Sequence, residues 1–467
     1  MITHAVTVSF NEAAETDRYR LIVFNRGGTA VILEHCASGY RLPVIEIPKF
    51  SRAAGAICEA LRNRWRMPAI LLFSTMVENT PEAAWAAILE CQADTPRADE
   101  GMTWVPIREA RATLGDREAS ALEASHAKCT SVVTGEDGEP FSRLGWFDGL
   151  KDWVRTMQPS GAELKGFEQM NGSESFSLIR FDTTRGSIWF KAVGAPNSHE
   201  LPITMKLARL FPTYVPRVLG EHPKYQGWLM EGACGAVLSE LGTVSGWNRA
   251  AGALAELQIE SIDHTPELRE SGCRDLRLGN LFGLVDPFLD LMTELMLKQT
   301  RVSPARLTRS ELLELGVEVK DALTYLSALE FPDALGHSDS NPGNIIVGAG
   351  KCTFLDWAEA CVGHPLMTFE YLLSHLRKDF EPLSQFESAI RSTYSRRWEA
   401  FVPAQEIAEA FRFTPLIAVF AYACSGETWR NQERLRLPQV PAYLRSLTRR
   451  MKHEADLLRK RTGTWSN

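Results

Sequence analysis

No two of the nine cysteines stand in CxxC spacing; they fall singly at positions 36, 58, 91, 129, 234, 273, 352, 361 and 424. That scatter offers neither the ligand spacing of a zinc site nor a disulfide framework, and it fits small buried apolar residues in a reducing compartment. The opening "MITHAVTVSF" has no basic segment followed by an apolar one, so no signal peptide is read there. The "NGS" at 171–173 therefore carries no meaning as a glycosylation acceptor. The longest strongly apolar run, Leu416–Cys424, falls far short of the roughly 20 residues a membrane span needs. Positive charge is not in excess: the formal net charge is −7 and the pI about 5.9, which removes the electrostatic case for nucleic-acid binding. Neither an internal repeat nor a low-complexity tract is seen. The expectation is a cytoplasmic protein with no nucleic-acid or membrane partner.

The 467 residues, 45% hydrophobic and 23% charged, make an ordinary globular chain with room for roughly two to four domains. Residues 1–133 read as an α/β unit. "RLIVFN" and "AVILEH" flank "RGGT" in a hairpin pattern over Arg20–His35, and Ser51–Trp65 has helical spacing of Ala53, Ala56, Ile57, Ala60 and Leu61. "AILLFSTMV" at 69–77 reads as a buried strand, and Pro81–Cys91 and Arg108–Ala127 read as helices. Turn formers and charge cluster in "TGEDGEPFS" at Thr134–Ser142, the best boundary, and 134–160 is expected to be a linker with a short helix over Leu144–Met157. Strands dominate 161–235, with one helix over Leu201–Phe211. Helices dominate 236–467, over Trp247–Ile259, Phe288–Leu297, Ser310–Leu329, Phe386–Phe401 and Ala404–Ala423. The basic tail Arg449–Arg461 reads as a solvated helix face.

Chemistry concentrates in "LGHSDSNPGNIIV" at Leu335–Val347 and "FLDWAEACVG" at Phe354–Gly363. "IIV" and "CTFL", joined by the glycine-rich "GAGK", form a hairpin whose open end releases Asn344 and Asp356 together. A carboxylate and an amide oxygen suit Mg²⁺, which takes hard oxygen ligands and keeps positions for water and phosphate. Asp339 lies on the preceding loop, within reach of the same space. A chance pattern in a polar loop is the plain alternative. His-x-Asp-x₄-Asn with an Asp beyond a hairpin is the spacing of a kinase catalytic loop and its metal-binding aspartate.

The block "HSDSNPGNIIV…FLDWAEACVGHP" resembles the aminoglycoside phosphotransferase family, whose usual form is H-G-D-x-x-P-G-N, a hydrophobic run, then [IL]-D-W. The resemblance implies a fold like that of protein kinases and transfer of phosphate from ATP (or GTP), with Mg²⁺, to a small-molecule hydroxyl. Carried over by the motif, Asp339 is the catalytic base, Asn344 and Asp356 the Mg²⁺ ligands, and His337 a support of the loop. Ser338 departs from the family's Gly, which puts the backbone turn in question. The family's upstream parts follow in order. "MNGSESFSLIRF" stands at the phosphate loop, with Gly172, Ser173 and Ser175 facing phosphate. Lys191 in "SIWFKAV" is the phosphate-binding lysine, Glu200 its partner, and Met230, Glu231 and Gly232 the hinge that meets adenine. Otherwise Lys191 is a solvent-facing strand lysine, and Glu200 a first-turn glutamate that favours the helix dipole. Glu359 either meets substrate or caps a loop.

"RLIVFNRGGTAVILE" with "LPVIEIPKFSRAAGAICEALRNRWRM" resembles a Nudix domain. Setting Leu61 and Met67 at that family's two hydrophobic positions puts Glu59, Ala60, Asn63, Arg64 and Arg66 at its diagnostic ones, so the metal-binding glutamates are missing. The resemblance implies a module that does not hydrolyse, able to bind a nucleotide-like ligand, to regulate, or to mediate a homodimer. The fold class expected is α+β: a kinase-like β-rich lobe over 161–235 and helical lobe over 236–467, preceded by a separate α/β Nudix-like domain. The rival reading is a catalytically silent, nucleotide-binding regulatory protein built on the same modules; the presence of Lys191, Asp339, Asn344 and Asp356 together speaks against it.

Overall fold

Strand β1 (Thr16–Phe24) is apolar at every position from Leu21 onward, and its side chains divide by parity. Leu21 and Val23 are buried in one cluster with Ala54, Ile57 and Leu61, whereas Ile22 and Phe24 are buried in another. Side chains alternate along a strand, so such a run belongs to a sheet covered on both faces. The computed structural model describes residues 15–37, 39–76, 85–93, 101–131, 139–158 and 161–462. It divides the chain into two compact units, residues 1–201 with 217–232 and residues 202–216 with 233–467.

In the first unit β1 is followed by β2 (Ala30–Cys36), β3 (Gly39–Arg41), β4 (Val44–Pro48), α1 (Ala53–Trp65), β5 (Ala69–Met76), β6 (Trp85–Cys91) and β7 (Met102–Pro106). The seven strands make one mixed sheet in the order β3-β2-β1-β6-β5, with β4 also against β1 and β7 against β2. The expected hairpin is present, Phe24 opposite Val31. The expected helix over Pro81–Cys91 is not: its described part is β6, parallel to β1 from Tyr19↔Trp85 to Phe24↔Glu90 and antiparallel to β5. "WAAILEC" shows no alternation because both faces of a central strand are buried, and its alanines favour a helix only until tertiary pairing overrides them. The helix expected over Arg108–Ala127 is two, α2 (Ile107–Thr113) and α3 (Asp116–Thr130), parted at Leu114, whose ψ of 152° is extended.

Helix α4 (Trp146–Met157) buries Trp146, Phe147, Leu150 and Val154 on one face. Next come β8 (Leu164–Gly172), β9 (Ser177–Thr183), β10 (Gly186–Ala192), β11 (Val218–Glu221) and β12 (Gly227–Glu231), an antiparallel five-stranded sheet in the order β11-β12-β10-β9-β8. The cluster that holds Ile22 and Phe24 also holds Phe147, Leu150, Phe181, Phe190 and Leu229. The N-terminal module expected as a separate domain therefore shares a core with the five-stranded sheet, and α4, expected within a linker, fills that core. Phe147 meets Phe167 and Phe181 at ring-centroid distances of 4.6 and 6.0 Å. Most of the expected boundary at Thr134–Ser142 lies outside the described residues.

Glu90 of β6 is fully buried in this unit, accepting hydrogen bonds from the Gly145 N–H (3.0 Å) and the Gln92 amide (3.2 Å). Burial pushes its pKa up to about 7 from 4.5, with Asp148 adding to the rise and Lys151 opposing it. The folded state favours the protonated acid, so this contribution is fully present below about pH 4.5 and is lost as pH rises towards 7. Wild-type protein is expected to lose on the order of 3 kcal/mol across that interval relative to Glu90→Gln, read as the divergence of urea-unfolding midpoints with pH. Parallel pH profiles of the two proteins would refute it.

The second unit is built on helices. After α5 (Glu200–Leu210) come β13 (Ala236–Val237), α6 (Val244–Glu260), β14 (Arg274–Leu276), α7 (Leu278–Leu297), α8 (Arg309–Ala328), β15 (Ala334–His337), β16 (Ile345–Val347), β17 (Cys352–Phe354) and β18 (Ala360–Gly363). Four long helices close the chain: α9 (Pro365–Asp379), α10 (Glu387–Trp398), α11 (Ala404–Ser425) and α12 (Gln439–Thr462). Helix α7 begins ten residues before the expected Phe288 and carries Pro287 in its interior. By length and composition α11 could cross a membrane, but 67% of its most apolar window is buried inside the structure, so it packs as a core helix. In α12 Leu444, Leu447, Met451, Ala455 and Leu458 are buried at helical spacing, so the basic tail has a packed apolar stripe beneath its charges. Two small sheets, β13-β16-β17 and β14-β18-β15, position the loop of interest. Seven of the nine cysteines are buried, and burial raises the thiols of Cys58, Cys129 and Cys273 to about 12 and Cys361 to about 11.

Candidate active site

In the first unit Lys191 lies on β10 between Leu178 of β9 and Trp228 of β12, in the middle of the five-stranded sheet. It is only 6% exposed, so the solvent-facing alternative does not hold. Its ammonium forms an ion pair with Glu200, the 1%-exposed first residue of α5, and lies 5.8 Å from the centre of the Trp228 ring. A buried lysine needs such a partner, because an uncompensated charge in an apolar interior is costly. The structure thus brings together the two residues that the sequence order paired.

The stretch "NGSESF" turns from β8 into β9, closed by the Ser173 N–H donating to the Phe176 carbonyl (2.8 Å). Gly172 leads into it with its N–H donated to the Asn171 side chain (2.9 Å). Ser175 packs against Gly194, where a Cβ would lie 2.7 Å from the Cβ of Ser175. The hinge expectation is narrowed. The N–H groups of Glu231 and Gly232 already donate to the carbonyls of Arg217 and Ser187 (2.9 Å each), and Met230 pairs with both Trp189 and Val218 inside β12. A purine donor cannot come from the Glu231 or Gly232 N–H without breaking the sheet.

In the second unit the pairs Ile345↔Phe354, Ile346↔Thr353 and Val347↔Cys352 form the hairpin read from "IIV" and "CTF". The Leu355 N–H donates to the Asn344 carbonyl (2.9 Å), so Asn344 and Asp356 leave from the same end. His337 ties the preceding loop to that end. Its Nε2 meets the Leu355 carbonyl at 2.9 Å and its Nδ1 accepts the Asp339 N–H at 3.1 Å, which sets the tautomer with Nε2 as donor. Ser338, the residue out of the family's pattern, is not among the positive-φ residues, so it introduces no backbone strain. Its N–H donates to the Glu359 carbonyl (2.9 Å).

The Asp339 carboxylate accepts from the Asn341 amide (3.0 Å), the Asn344 amide (3.3 Å) and the Tyr371 hydroxyl (3.2 Å). Asn344 also donates to the Asp339 carbonyl (3.0 Å), so its NH₂ group is committed to Asp339 and its amide oxygen is turned the other way. Asp356 has φ 64° and ψ 63°, a left-handed conformation that costs a non-glycine residue about 1 kcal/mol or more and points to a functional constraint. Among the described residues no three His, Cys, Asp or Glu side chains cluster as metal ligands. The donor set here, one carboxylate and one amide oxygen, fits Mg²⁺ rather than a soft or borderline metal. Glu359 forms an ion pair with Arg274 of β14.

Sequence reasoning missed α9 and what it does. The His364 side chain caps it by accepting the Leu366 N–H (3.3 Å), and Pro365 opens its first turn. Thr368 then holds both ends of the loop, its hydroxyl accepting the His337 N–H (3.0 Å) and its carbonyl accepting the Ser340 hydroxyl (3.1 Å). One turn further, Tyr371 reaches Asp339. Burial, then the negative charge of Asp339, raises the Tyr371 pKa, so the phenol stays protonated and donates. Its ring stacks with Tyr422 of α11 at 5.5 Å, and the Tyr443 hydroxyl of α12 donates to that of Tyr422 (3.2 Å). Three helices contribute one tyrosine each, and no spacing within the sequence links them.

The β-rich unit with its paired strand lysine and the helical unit with its ordered aspartate at a hairpin mouth make a mixed α+β protein. Residues 198–405 match the model of the phosphotransferase enzyme family, the same stretch that holds Glu200, Asp339, Asn344, Asp356 and Tyr371. No curated protein matches the chain. Solved structures similar to it include choline kinase from Cryptosporidium parvum Iowa II, 12% identical, covering 68% of this chain and 97% of its own, with a TM-score of 0.48. A macrolide 2'-phosphotransferase from Brachybacterium faecium is 13% identical over 64% of this chain and 96% of its own (TM-score 0.43). The Plasmodium vivax ethanolamine kinase is 15% identical over 74% and 94% (TM-score 0.42).

Proposed function

We propose that the protein is a small-molecule phosphotransferase, moving the γ-phosphate of ATP or GTP to a hydroxyl acceptor. The carboxylate of Asp339, aimed by three donors at the head of the β16–β17 hairpin, carries this reading, and the family match over 198–405 supports it. In the reaction the acceptor oxygen bonds to the γ-phosphorus as its proton passes to Asp339, and the bond to the β,γ-bridging oxygen breaks to release the nucleoside diphosphate. Asn344 and Asp356 would hold Mg²⁺, which when bound neutralises phosphate charge. Lys191, oriented by Glu200, would bind phosphate oxygens, as would the turn of Gly172, Ser173 and Ser175. The seven-stranded sheet with its hairpin, loop and α1 supports a Nudix-like reading of the N-terminal module. Ala60, Asn63 and Arg64 stand where hydrolysis would need glutamates, so that module would not hydrolyse. The test is a panel of sugars, amino alcohols, nucleosides and aminoglycosides with ATP or GTP and Mg²⁺, wild type against Asp339→Ala. Transfer that depends on Asp339 is the expected result. Nucleotide bound tightly with no transfer to any acceptor would favour the regulatory alternative, and no nucleotide binding at all would sink both.

A further inference from the structure

We propose that the N-terminal module holds the β8–β9 turn in its nucleotide-binding shape, with Lys128 and Gln169 as positioning residues; this rests on the phosphotransfer reading above. A carboxylate at the tip of a turn meant to meet phosphate is out of place, and Glu174 sits there between Ser173 and Ser175. Glu174 is drawn aside by Lys128 of α3, with which it forms an ion pair. Lys128 also pairs with Glu139 at 2.9 Å and lies 4.6 Å from the centre of the Phe73 ring of β5. The Glu174 carbonyl is held too, by the Phe141 N–H (3.1 Å). Side chain and backbone at the turn's tip are thus both fastened to residues before 142.

The entry to the turn is fastened independently. β8 is bulged between Gln169 and Asn171, and β5 between Leu71 and Phe73. Across the two irregularities the Gln169 side chain acts as a strand neighbour: its oxygen accepts the Leu71 N–H (2.7 Å) and its amide donates to the Leu71 carbonyl (3.1 Å). Gln169 is 1% exposed, and the Cys58 thiol of α1 points at the same oxygen (3.7 Å). The amide fills the space that a Cβ on Gly172 would enter, so the first residue of the turn rests on a side chain bolted to β5. Helix α1 approaches β8 closely as well, since a Cβ on Gly55 would lie 3.2 Å from the Met170 carbonyl. The missing Nudix glutamates and the shared core then have one explanation. The module has become part of the nucleotide-binding unit, and anything that shifts α3 or β5 acts on phosphate affinity.

The test uses full-length protein, with MgATP and MgGTP titrated calorimetrically and hydrogen exchange read on the amides of residues 172–177. Lys128→Met frees Glu174 and is expected to weaken nucleotide binding about tenfold, as a released negative charge near an anion would. Glu174→Gln should bind at least as tightly as wild type, and Lys128→Met in the Glu174→Gln background should bind like Glu174→Gln alone. A tenfold loss that persists in the double variant would overturn the proposal, because Lys128 would then act by some route other than Glu174. So would a Lys128→Met protein that binds like wild type. Gln169→Leu should speed exchange across 172–177 and weaken nucleotide several-fold; unchanged exchange and affinity would remove the second fastening. Wild-type protein that binds neither nucleotide would overturn the phosphotransfer reading, and the exchange measurement would still decide whether the module holds the turn.

Discussion

Asp339→Ala is expected to lower phosphoryl transfer about a thousandfold while nucleotide affinity changes by no more than about twofold. The size follows from the geometry. An aspartate that takes the acceptor's proton also orients the hydroxyl, and the carboxylate here is pre-set by three hydrogen bonds from Asn341, Asn344 and Tyr371. Asp339→Asn separates the two roles, keeping an oxygen acceptor while removing the base, and should be nearly as inactive as alanine. Tyr371→Phe removes one of the three donors without a change of shape, so turnover should fall about tenfold with nucleotide affinity unchanged. Rates are read by acceptor-dependent release of nucleoside diphosphate, affinity by titration. An Asp339→Ala protein that keeps a tenth of wild-type turnover would remove Asp339 from the chemistry. A Tyr371→Phe protein with normal turnover would make that hydroxyl a packing feature only.

The parts of this site that were legible in the sequence are those built from contiguous residues. The hairpin between Asn344 and Asp356 needs only two short apolar runs and a glycine turn, so its geometry follows from spacing. Lys191 and Glu200 are nine positions apart, and a strand followed by a helix start brings them together. What the sequence hid depends on packing from a distance. Tyr371 meets Asp339 only because His364 and Pro365 start a helix that Thr368 docks against the loop. The same limit explains β6, whose buried faces erase the two-residue period, and β8, whose "LKGFEQMNG" has a loop's composition but is paired along its length with β9. The hinge is narrowed for a different reason. Family order puts the hinge at Met230–Gly232, at the end of β12, but order says nothing about which N–H groups the sheet has already taken.

The buried pair of Lys191 and Glu200 separates stability from function more sharply than any other feature. Their side chains are 8% and 2% exposed, so Lys191→Met takes from a desolvated carboxylate the cation that neutralises it. The cost of breaking such a pair is roughly 3–5 kcal/mol, which should lower the melting temperature by on the order of 10 °C. Replacing both partners, Lys191→Met with Glu200→Leu, removes the buried carboxylate as well and substitutes apolar packing of similar volume. That double variant should recover most of the lost stability, because the attraction within a buried pair is largely offset by the desolvation of its members. It should not recover nucleotide affinity, expected to stay about a hundredfold below wild type for want of the phosphate-binding ammonium. Thermal denaturation and nucleotide titration on the three proteins give the comparison. If the double variant binds nucleotide as wild type does, the pair is structural and phosphate is held elsewhere. If Lys191→Met alone is as stable as wild type, the Glu200 charge is compensated by water or another group, and the first unit is more open around Glu200 than its burial indicates. The expected pattern, stability restored and binding still weakened, is one that a purely structural ion pair cannot produce.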